Sequence, residues 1–327
     1  MDEREDMSAA ITPTTPDTPA APSGVAPGDT PAAAPGDAKP APEVARVDGV
    51  YHRAPALPTL IYWGLHASCL LAFVVGVSTL DLVLLATTFW LRMFAITAGY
   101  HRYFSHRTYR TSRAFQFVLA VLGCTATQKG PLWWAGLHRI HHRFSDTEED
   151  VHPPRKGFWY AHQGWIMDPR WERTPVEKIP DFARYPELVW LNKWHFVPPA
   201  ALAVLLFAIG GFSGVLWGFA ISTVLLWHST YTINSLSHRF GSQRYDTGDE
   251  SRNNLWLALL TMGEGWHNNH HHYMASTRQG FFWWEIDLTY YLLRALAAVG
   301  LVWDIREPPA HVLRPDRQRE APRREAA

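Results

Sequence analysis

Residues 134–142 read WAGLHRIHH and contain three histidines at positions i, i+3 and i+4. On a helix these side chains share one face, and they are His138, His141 and His142. The segment GEGWHNNHH repeats the spacing with His267, His270 and His271. HRYFSH and NSLSHRF add His101, His106 and His238. Imidazole is the commonest protein ligand for metals, and nine such side chains are too many for one ion and suitable for two.

The composition fits a membrane protein better than a nucleic-acid-binding protein. Lys+Arg and Asp+Glu both number 30 in 327 residues, so no excess of positive charge attracts nucleic acid. The 16 tryptophans and 16 phenylalanines are typical of a chain with a large membrane interface, where aromatic residues collect. The two cysteines, Cys69 and Cys124, lie in apolar runs, so we expect no disulfide framework.

The two ends of the chain lack the pattern of a folded domain. Residues 1–48 are rich in Ala and Pro without apolar periodicity, which predicts disorder. Their acidic start, MDEREDM, argues against a signal peptide. Residues 306–327 are rich in Arg and Pro and are expected to form a mobile basic tail. Residues 49–305, between these ends, are predicted to form one membrane domain.

Four apolar runs predict four transmembrane helices in two hairpins. The first pair covers residues 57–77 and 81–100, and the second covers 196–210 and 212–233. Lys and Arg are absent from both hairpin tips and abundant at the open ends, so the positive-inside rule places both termini and the histidine clusters on the cytoplasmic side. The predicted fold is therefore an all-α integral membrane protein with a cytoplasmic helical cap that holds the histidines.

Three shorter helices that do not span the membrane, and one charged residue inside a span, complete the predicted arrangement. We expect short helices at 113–127 and 255–262 and an amphipathic interfacial helix at 281–303. Arg92 falls inside the second apolar run, where a charge at mid-bilayer would be costly. We therefore expect Arg92 near the membrane interface.

The pattern of the clusters favours iron. An all-imidazole set without a nearby cysteine suits iron better than structural zinc. Asn234 lies four residues before His238 on the same helical face, where it could bind metal weakly or through water. Carboxylates such as Asp146 and Glu264 are candidates to orient the imidazoles through their second ring nitrogen.

The spacing of His101 and His106 limits how they can converge, and the histidines outside the clusters are expected to have ordinary structural roles. His101 and His106 lie about 140° apart on an α-helix, so both can face one point only if the helix ends between them. His272 adjoins a complete i, i+3, i+4 set and is left unassigned. Isolated histidines are expected to be surface or hydrogen-bonded residues, namely His52, His66, His152, His162, His195, His228 and His311.

The motifs HRYFSH, HRIHH, NSLSH and HNNHH, in this order, resemble the histidine boxes of membrane fatty acid desaturases. The resemblance is to the stearoyl-CoA type and its bacterial relatives without a fused cytochrome b5 domain, and it covers residues 57–273. It implies that Asn234 acts through water and that the metal ligands are His101, His106, His138, His141, His142, His238, His267, His270 and His271. It also implies that an acyl tunnel bends beside Gln128, Trp134, Thr230 and Tyr231. Trp134 equally fits an aromatic residue at the membrane interface.

The resemblance implies an oxygen-dependent desaturase with two iron ions and molecular oxygen as co-substrate. Two external electrons would come from a separate donor protein of the ferredoxin or cytochrome b5 type, with its reductase. A cis double bond is then expected between the ninth and tenth carbons of a long saturated acyl chain. Acyl-CoA ranks first as the carrier of this chain, followed by acyl-phospholipid and acyl-carrier protein.

Three positions depart from the acyl-CoA desaturases of animals. Gly136 and Leu137 stand where those enzymes carry an Arg-Asp pair that helps to hold CoA, and Lys129 stands in place of an asparagine. These departures weaken the assignment of CoA. Two other functions stay open: a hydroxylase or ketolase on the same scaffold, and a non-catalytic membrane protein that binds zinc through its histidines.

Overall fold

The structure is a computed structural model that describes residues 56–314. The segment 1–48 that we predict to be disordered, His52, and residues 315–327 of the predicted tail lie outside the described residues. Within 56–314 the chain is mostly helical, and its one sheet has two short strands. In this part of the chain, three helical stretches are long and apolar enough to cross a membrane, namely residues 57–75, 79–105 and 197–235.

The elements follow one another in five groups. The first two apolar stretches comprise α1 (Ala56–Ser68), a 3-10 turn (Cys69–Leu71), α2 (Ala72–Val75), α3 (Thr79–Phe94) and a π-helix (Ala95–Ser105). Next come β1 (Arg110–Thr111), α4 (Arg113–Cys124) and α5 (Pro131–Phe144). A series of short elements follows, namely the 3-10 turns Pro154–Lys156, Gly164–Met167, Pro169–Trp171 and Val176–Lys178, with α6 (Phe158–His162), α7 (Pro180–Ala183) and α8 (Pro186–Lys193). The third apolar stretch comprises α9 (Val197–Val215), a π-helix (Leu216–Ile221) and α10 (Ser222–Ser235). The last described elements are α11 (Leu255–Leu260), α12 (His267–His272), α13 (Leu288–Ala298) and β2 (Val302–Trp303).

The turn between α2 and α3 is defined by a glycine and a capping box. Gly76 has a φ of 76°, a conformation that costs glycine little. The Ser78 hydroxyl accepts the backbone N–H of Asp81 at 3.2 Å, and the Asp81 carboxylate accepts the backbone N–H of Ser78 at 2.9 Å. This reciprocal arrangement satisfies two N–H groups at the start of α3, so a tight turn joins the two apolar stretches.

The third apolar stretch bends back on itself at Gly211. This residue has a φ of 61° and a ψ of −149°, which interrupts the helix inside α9. A Cβ on Gly214 would lie 2.6 Å from the carbonyl oxygen of Leu206. On a straight helix these two residues would be about 12 Å apart. The segments before and after Gly211 are therefore packed against each other.

Arg92 is buried between helices. Its side chain is 1% exposed. The guanidinium donates to the carbonyl oxygens of Thr88 and Thr125 and to the hydroxyls of Ser222 and Thr223. Because acceptors surround it, a charge at this position needs no access to water. Buried hydrogen bonds thus stabilise Arg92 inside the helix bundle, and its predicted place near the membrane interface stays a prediction.

The amphipathic helix predicted for residues 281–303 is shorter than expected. Helix α13 begins after Asp287, because the carboxylate of this residue accepts the backbone N–H of Tyr290 at 3.0 Å. Gly300, with a φ of 75°, follows its end. The chain then enters β2, which pairs antiparallel with β1.

The predicted mobile tail starts with packed residues. The carbonyl oxygen of Arg306 accepts the backbone N–H of Thr277 at 2.8 Å. Val312 is 7% exposed and belongs to an apolar cluster with Tyr245 and Phe281. Contacts with the folded part of the chain therefore continue past position 306.

One apolar core joins the helices that carry the histidines. Its fully buried members include Met93 in α3, Leu119 in α4, Leu132 in α5 and Leu226 in α10. Burial of a large apolar side chain contributes about 1.5–3 kcal/mol. These contacts hold the four helices in fixed relative positions.

Candidate metal centre

The nine clustered histidines meet in two groups. In the first group, all ligand nitrogens lie within 4.8 Å of one another, and they belong to His101, His106, His138, His142 and His270. In the second group, the ligand nitrogens also lie within 4.8 Å of one another, and they belong to His141, His238, His267 and His271. The motif HRIHH contributes to both groups, because its middle histidine faces the second group and the other two face the first.

A π-helix brings His101 and His106 into the same group. The backbone N–H of His106 donates to the carbonyl oxygen of His101 at 3.3 Å, which is an i to i+5 bond. A π turn contains more residues than an α turn, so side chains five apart project to the same side. Their ring centroids are 4.9 Å apart. The expectation that the helix ends between them is confirmed, because the π-helix ends at Ser105, and its wider winding also helps to bring the two rings together.

Helix α5 is fixed at both ends. Pro131 occupies the first turn, where its missing N–H costs nothing. Near the other end, Arg139 donates to the carbonyl oxygen of Ser105 at 2.9 Å and to both carboxylate oxygens of Asp181 at 2.8 and 3.0 Å. The histidines of α5 are therefore held against the π-helix that carries His101.

The two asparagines of HNNHH anchor α12. Both are fully buried. The side-chain oxygen of Asn268 accepts the backbone N–H groups of Arg244 and Tyr245, each at 2.8 Å. The side-chain nitrogen of Asn269 donates to a carboxylate oxygen of Glu285 at 2.9 Å. The asparagines thus position the histidines on either side of them.

Two carboxylates suggested by the sequence contact the outer nitrogens of histidines. Glu264 contacts Nδ1 of His101, and Asp146 lies 3.1 Å from Nδ1 of His238. A carboxylate at Nδ1 holds the proton there and leaves Nε2 with a free lone pair. Both contacts therefore direct Nε2 into the histidine groups.

Two further carboxylates also contact Nδ1 of a histidine, and the sequence did not indicate them. Asp150 lies 2.8 Å from Nδ1 of His141, and Asp249 lies 2.6 Å from Nδ1 of His271. Both acids follow no periodic pattern, and only the folded chain brings them to their partners. Their pKa values are lowered although burial opposes this, because each carboxylate faces a histidine.

Burial keeps most of these imidazoles neutral. It lowers the pKa values of His106, His138 and His142 well below the ordinary value, and the neighbouring imidazoles add to the effect. Burial likewise lowers the pKa of His271 to about 4. Neutral imidazole is the form that binds metal, so most of the nine side chains are ready to accept an ion.

The inner nitrogens are arranged for a cation. Nε2 of His138 lies 2.9 Å from Nε2 of His106 and 3.0 Å from Nε2 of His142. A neutral ring carries one N–H, so these contacts cannot all be hydrogen bonds. Nε2 of His141 and of His271 is buried and has no hydrogen-bond partner within residues 56–314. Two sets of converging lone pairs fit two metal ions, and an all-imidazole donor set suits iron.

His152 lies next to the second group, which differs from the isolated position expected for it. It is 7% exposed, and its ring centroid lies 4.3 Å from that of His141. Together with His141 and Asp150 it forms a third set of close ligand atoms. This set shares His141 with the second group, so it extends the same centre.

Other histidines have contacts outside the two groups. His66, His162 and His228 form a hydrogen-bonded row, with nitrogen separations of 3.0 and 2.9 Å, that links α1, α6 and α10. His272 stacks on Tyr245 with ring centroids 3.9 Å apart. The row is consistent with the hydrogen-bonded role expected for its members.

A cavity adjoins both groups. Its walls include histidines of the first and second groups together with Asn234. Apolar side chains, among them Met93, Ile96 and Ile233, line most of the remainder. A molecule in this cavity would contact the candidate metal centre while most of its surface meets apolar side chains.

The four residues assigned to substrate by resemblance all line this cavity. Nε1 of Trp134 donates to Oε1 of Gln128 at 3.0 Å, and Nε2 of Gln128 donates to Oγ1 of Thr230 at 2.9 Å. Trp134 also stacks on His138 with ring centroids 5.0 Å apart, so it lies beside the histidines. Tyr231 is 5% exposed.

The positions that depart from acyl-CoA desaturases are closed to a charged pair. A Cβ on Gly136 would lie 2.8 Å from a side-chain carbon of Pro175. Leu137 is 4% exposed and belongs to an apolar cluster. Lys129 forms an ion pair with Glu172 at 2.8 Å. An arginine and an aspartate could not replace Gly136 and Leu137 without disturbing this packing.

Comparison with known proteins gives the family. A family model described as fatty acid desaturase matches residues 56–306. The sn-1 stearoyl-lipid 9-desaturase of Anabaena variabilis is 39% identical over 258 residues, which cover 76% of this chain and 92% of that protein. The sn-2 palmitoyl-lipid 9-desaturase of Nostoc sp. is 38% identical over 219 residues, covering 65% and 77%. The acyl-CoA 5-desaturase of Anemone leveillei is 37% identical over 255 residues, covering 76% and 78%.

The helical fold with its apolar stretches, together with two histidine groups suited to metal, fits a metal-binding membrane protein. The chain belongs to the fatty acid desaturase family.

Proposed function

We propose that this protein introduces a cis double bond between the ninth and tenth carbons of a long saturated acyl chain. Two groups of histidines beside one largely apolar cavity are the observation that supports this most directly. Two of the similar proteins described above are 9-desaturases, which supports the position of the double bond.

The cofactor of the proposal is a pair of iron ions, one in each histidine group. The ligands in the first group would be His101, His106, His138, His142 and His270, and in the second His141, His238, His267 and His271, with Asn234 acting through water. The chemistry that bound iron supplies is reduction of dioxygen with two electrons and two protons to water, as the acyl chain loses two hydrogens.

The residues of this chain bind the acyl group and hold its reacting carbons in place. The apolar walls of the cavity exclude water from the bound acyl chain. The hydrogen bonds from Trp134 to Gln128 and from Gln128 to Thr230 fix one side of the cavity beside His138. We assign these three residues, together with Tyr231, to the bend of the acyl chain that a cis product requires.

An acyl group esterified in a membrane lipid is now our first choice of substrate, which reverses the order expected from the sequence alone, with acyl-CoA first. Gly136 lies against Pro175 and Leu137 is buried, so neither position offers a charged contact for CoA. A lost charge-assisted hydrogen bond is worth about 1.5–3 kcal/mol. The similarity to lipid 9-desaturases points the same way.

Acyl-CoA is the second candidate, and one observation favours it. Arg155 and Lys156 are exposed and follow His152, which lines the cavity. Their positive charges, three and four residues after a cavity-lining histidine, would suit a phosphate of CoA. The similar acyl-CoA 5-desaturase also supports this candidate.

The product and the carrier can be tested in one experiment. Iron-loaded protein in lipid bilayers would be given oxygen, reduced ferredoxin and a deuterated stearoyl chain, either in a glycerolipid or as the CoA thioester. We expect loss of two hydrogens from the lipid ester, with no product from the His141→Ala variant. Gain of one oxygen atom would indicate a hydroxylase, and exclusive conversion of the thioester would reverse our order of carriers.

We also propose the membrane arrangement expected from the charge pattern, with residues 49–305 as one domain. A straight helix over residues 197–235 would be about 58 Å long, almost twice the hydrocarbon core of about 30 Å. The reversal at Gly211 supports two crossings by this stretch and four in total. Both termini and the histidine groups would then face the cytoplasm.

A further inference from the structure

A second cavity, which the proposed function does not use, opens beside His106. Its lining includes one carboxylate, that of Asp181, and four arginines, namely Arg107, Arg110, Arg184 and Arg306. We call this cavity the basic cleft. All four arginines are exposed, although the chain as a whole has equal numbers of basic and acidic residues. Positive charge is therefore concentrated at this surface.

Much of that charge is not neutralised by neighbouring side chains. Asp181 is already bonded by Arg139 at 2.8 Å, and Arg107 approaches it only to 3.4 Å. Arg110 pairs with Asp304 at 3.2 Å, whereas Arg184 and Arg306 have no carboxylate partner in the part of the chain that the structure describes. Arg184 does donate to the hydroxyl of Tyr185 at 3.0 Å, but exposed arginines without a carboxylate partner keep a positive charge that can pair with an acid on another molecule.

The floor of the basic cleft reaches the first histidine group. His106 lines the cleft, and its Nε2 lies 2.9 Å from Nε2 of His138. A single imidazole thus separates a molecule in the cleft from the candidate metal centre. Among the described residues, the basic cleft and the acyl cavity share no lining side chain. The centre is therefore approached by two separate routes, one largely apolar and one positively charged.

We propose that the basic cleft docks an acidic electron-carrier protein, which delivers electrons one at a time through His106. The inference rests on the proposed function, because the reaction needs two external electrons. Two successive one-electron oxidations of the carrier supply them. A cleft of one charge attracts a partner of the opposite charge and accelerates its association. Redox partners also bind through small interfaces, so a limited charged surface is sufficient.

The test compares electron delivery by a protein with delivery by a small reductant. Iron-loaded protein in lipid bilayers would receive electrons either from an acidic [2Fe–2S] ferredoxin with its reductase or from dithionite in a single turnover. The main variant combines Arg184→Glu with Arg306→Glu. Arg173→Glu is the matched control, because this arginine is 79% exposed and does not line the cleft.

We expect the double variant to raise the KM for ferredoxin on the order of tenfold or more and to weaken its dependence on salt. The dithionite yield should be unchanged, which also shows that the variant is folded. The Arg173→Glu control should match the wild type in both assays. An Arg184→Lys, Arg306→Lys variant should keep the wild-type KM, because it retains the charge.

An unchanged KM for ferredoxin in the double variant would overturn the docking proposal. So would a raised KM for the acyl substrate alone, which would assign the cleft to an anionic lipid head group. Failure of the proposed function looks different, because the wild type would then form no unsaturated product even with dithionite.

Discussion

At the scale of single residues, His141 shows what spacing predicts and what it leaves out. On an α-helix, His141 and His142 project about 100° apart, which is why neighbours in HRIHH enter different groups. The spacing predicts which histidines are ligands in our proposal, and all nine do converge. It does not indicate Asp150 or Asp249, because these acids lie in irregular segments and reach their partners only in the folded chain.

Asp249 should matter for metal binding although it would not touch the metal. Its carboxylate lies 2.6 Å from Nδ1 of His271 and holds that ring in place. We expect Asp249→Asn to weaken metal binding at the second group by about 10–100-fold, as measured by titration of the metal-free protein with iron. Asp246→Asn, an exposed position in the same loop, is the control. Equal affinities for the two variants would refute the role of Asp249.

Thr230 should influence where the double bond forms. Thr230→Val keeps the shape but loses the hydroxyl that accepts from Gln128 at 2.9 Å, whereas Thr230→Ser keeps the hydroxyl. We expect the valine variant to give a mixture of positional isomers and about tenfold lower kcat/KM, since a lost hydrogen bond costs roughly 1 kcal/mol or more. The serine variant should form one isomer. Mass spectrometry of the products would show a single isomer from both variants if this role is wrong.

At the scale of elements, the sequence predicts where helices lie but not whether they are α-helices or π-helices. The apolar runs and the short helices at α4 and α11 lie where the sequence places them. The π-helix at Ala95–Ser105 was not predictable, because a π turn has no residue signature in this chain and is stabilised by its packing. The capping box at Ser78 and the glycine turns are local features, and Gly211 is the clearest of them.

Gly211 should be intolerant of any side chain. Its backbone, with a φ of 61° and a ψ of −149°, is almost restricted to glycine, yet no atom lies within 4 Å of an added Cβ. Gly211→Ala should therefore destabilise the protein by about 1–3 kcal/mol through backbone strain alone. Gly64→Ala, also in open space but inside α1, should be neutral or stabilising. Thermal unfolding in detergent would contradict this if both variants shifted Tm equally.

At the scale of the whole molecule, the positions of charged residues along the sequence are the main basis for predicting the membrane arrangement. Residues 241–254 and 143–193 are polar or rich in Trp and Pro, and no periodicity shows how they fold around the histidines. They nevertheless supply Asp249 and Asp150, so the centre depends on segments that sequence patterns describe least. The apolar stretches, by contrast, follow from composition, and the placement of Lys and Arg predicts their orientation.

The orientation can be tested with two cysteine variants. Phe212→Cys lies beside the reversal at Gly211 and is 56% exposed, and Asp246→Cys lies in an exposed loop near the histidines. An impermeant maleimide should label Phe212→Cys in intact cells and Asp246→Cys only after permeabilisation, compared with the background from Cys69 and Cys124. The opposite pattern would place the histidine groups outside the cell.

The central claim is that nine histidines hold two iron ions, and metal analysis of the natively expressed, active protein tests it most directly. We predict close to two irons per chain, and close to one after Asp249→Asn. A single iron per chain, or a full complement of zinc in protein that still desaturates acyl chains, would contradict the claim.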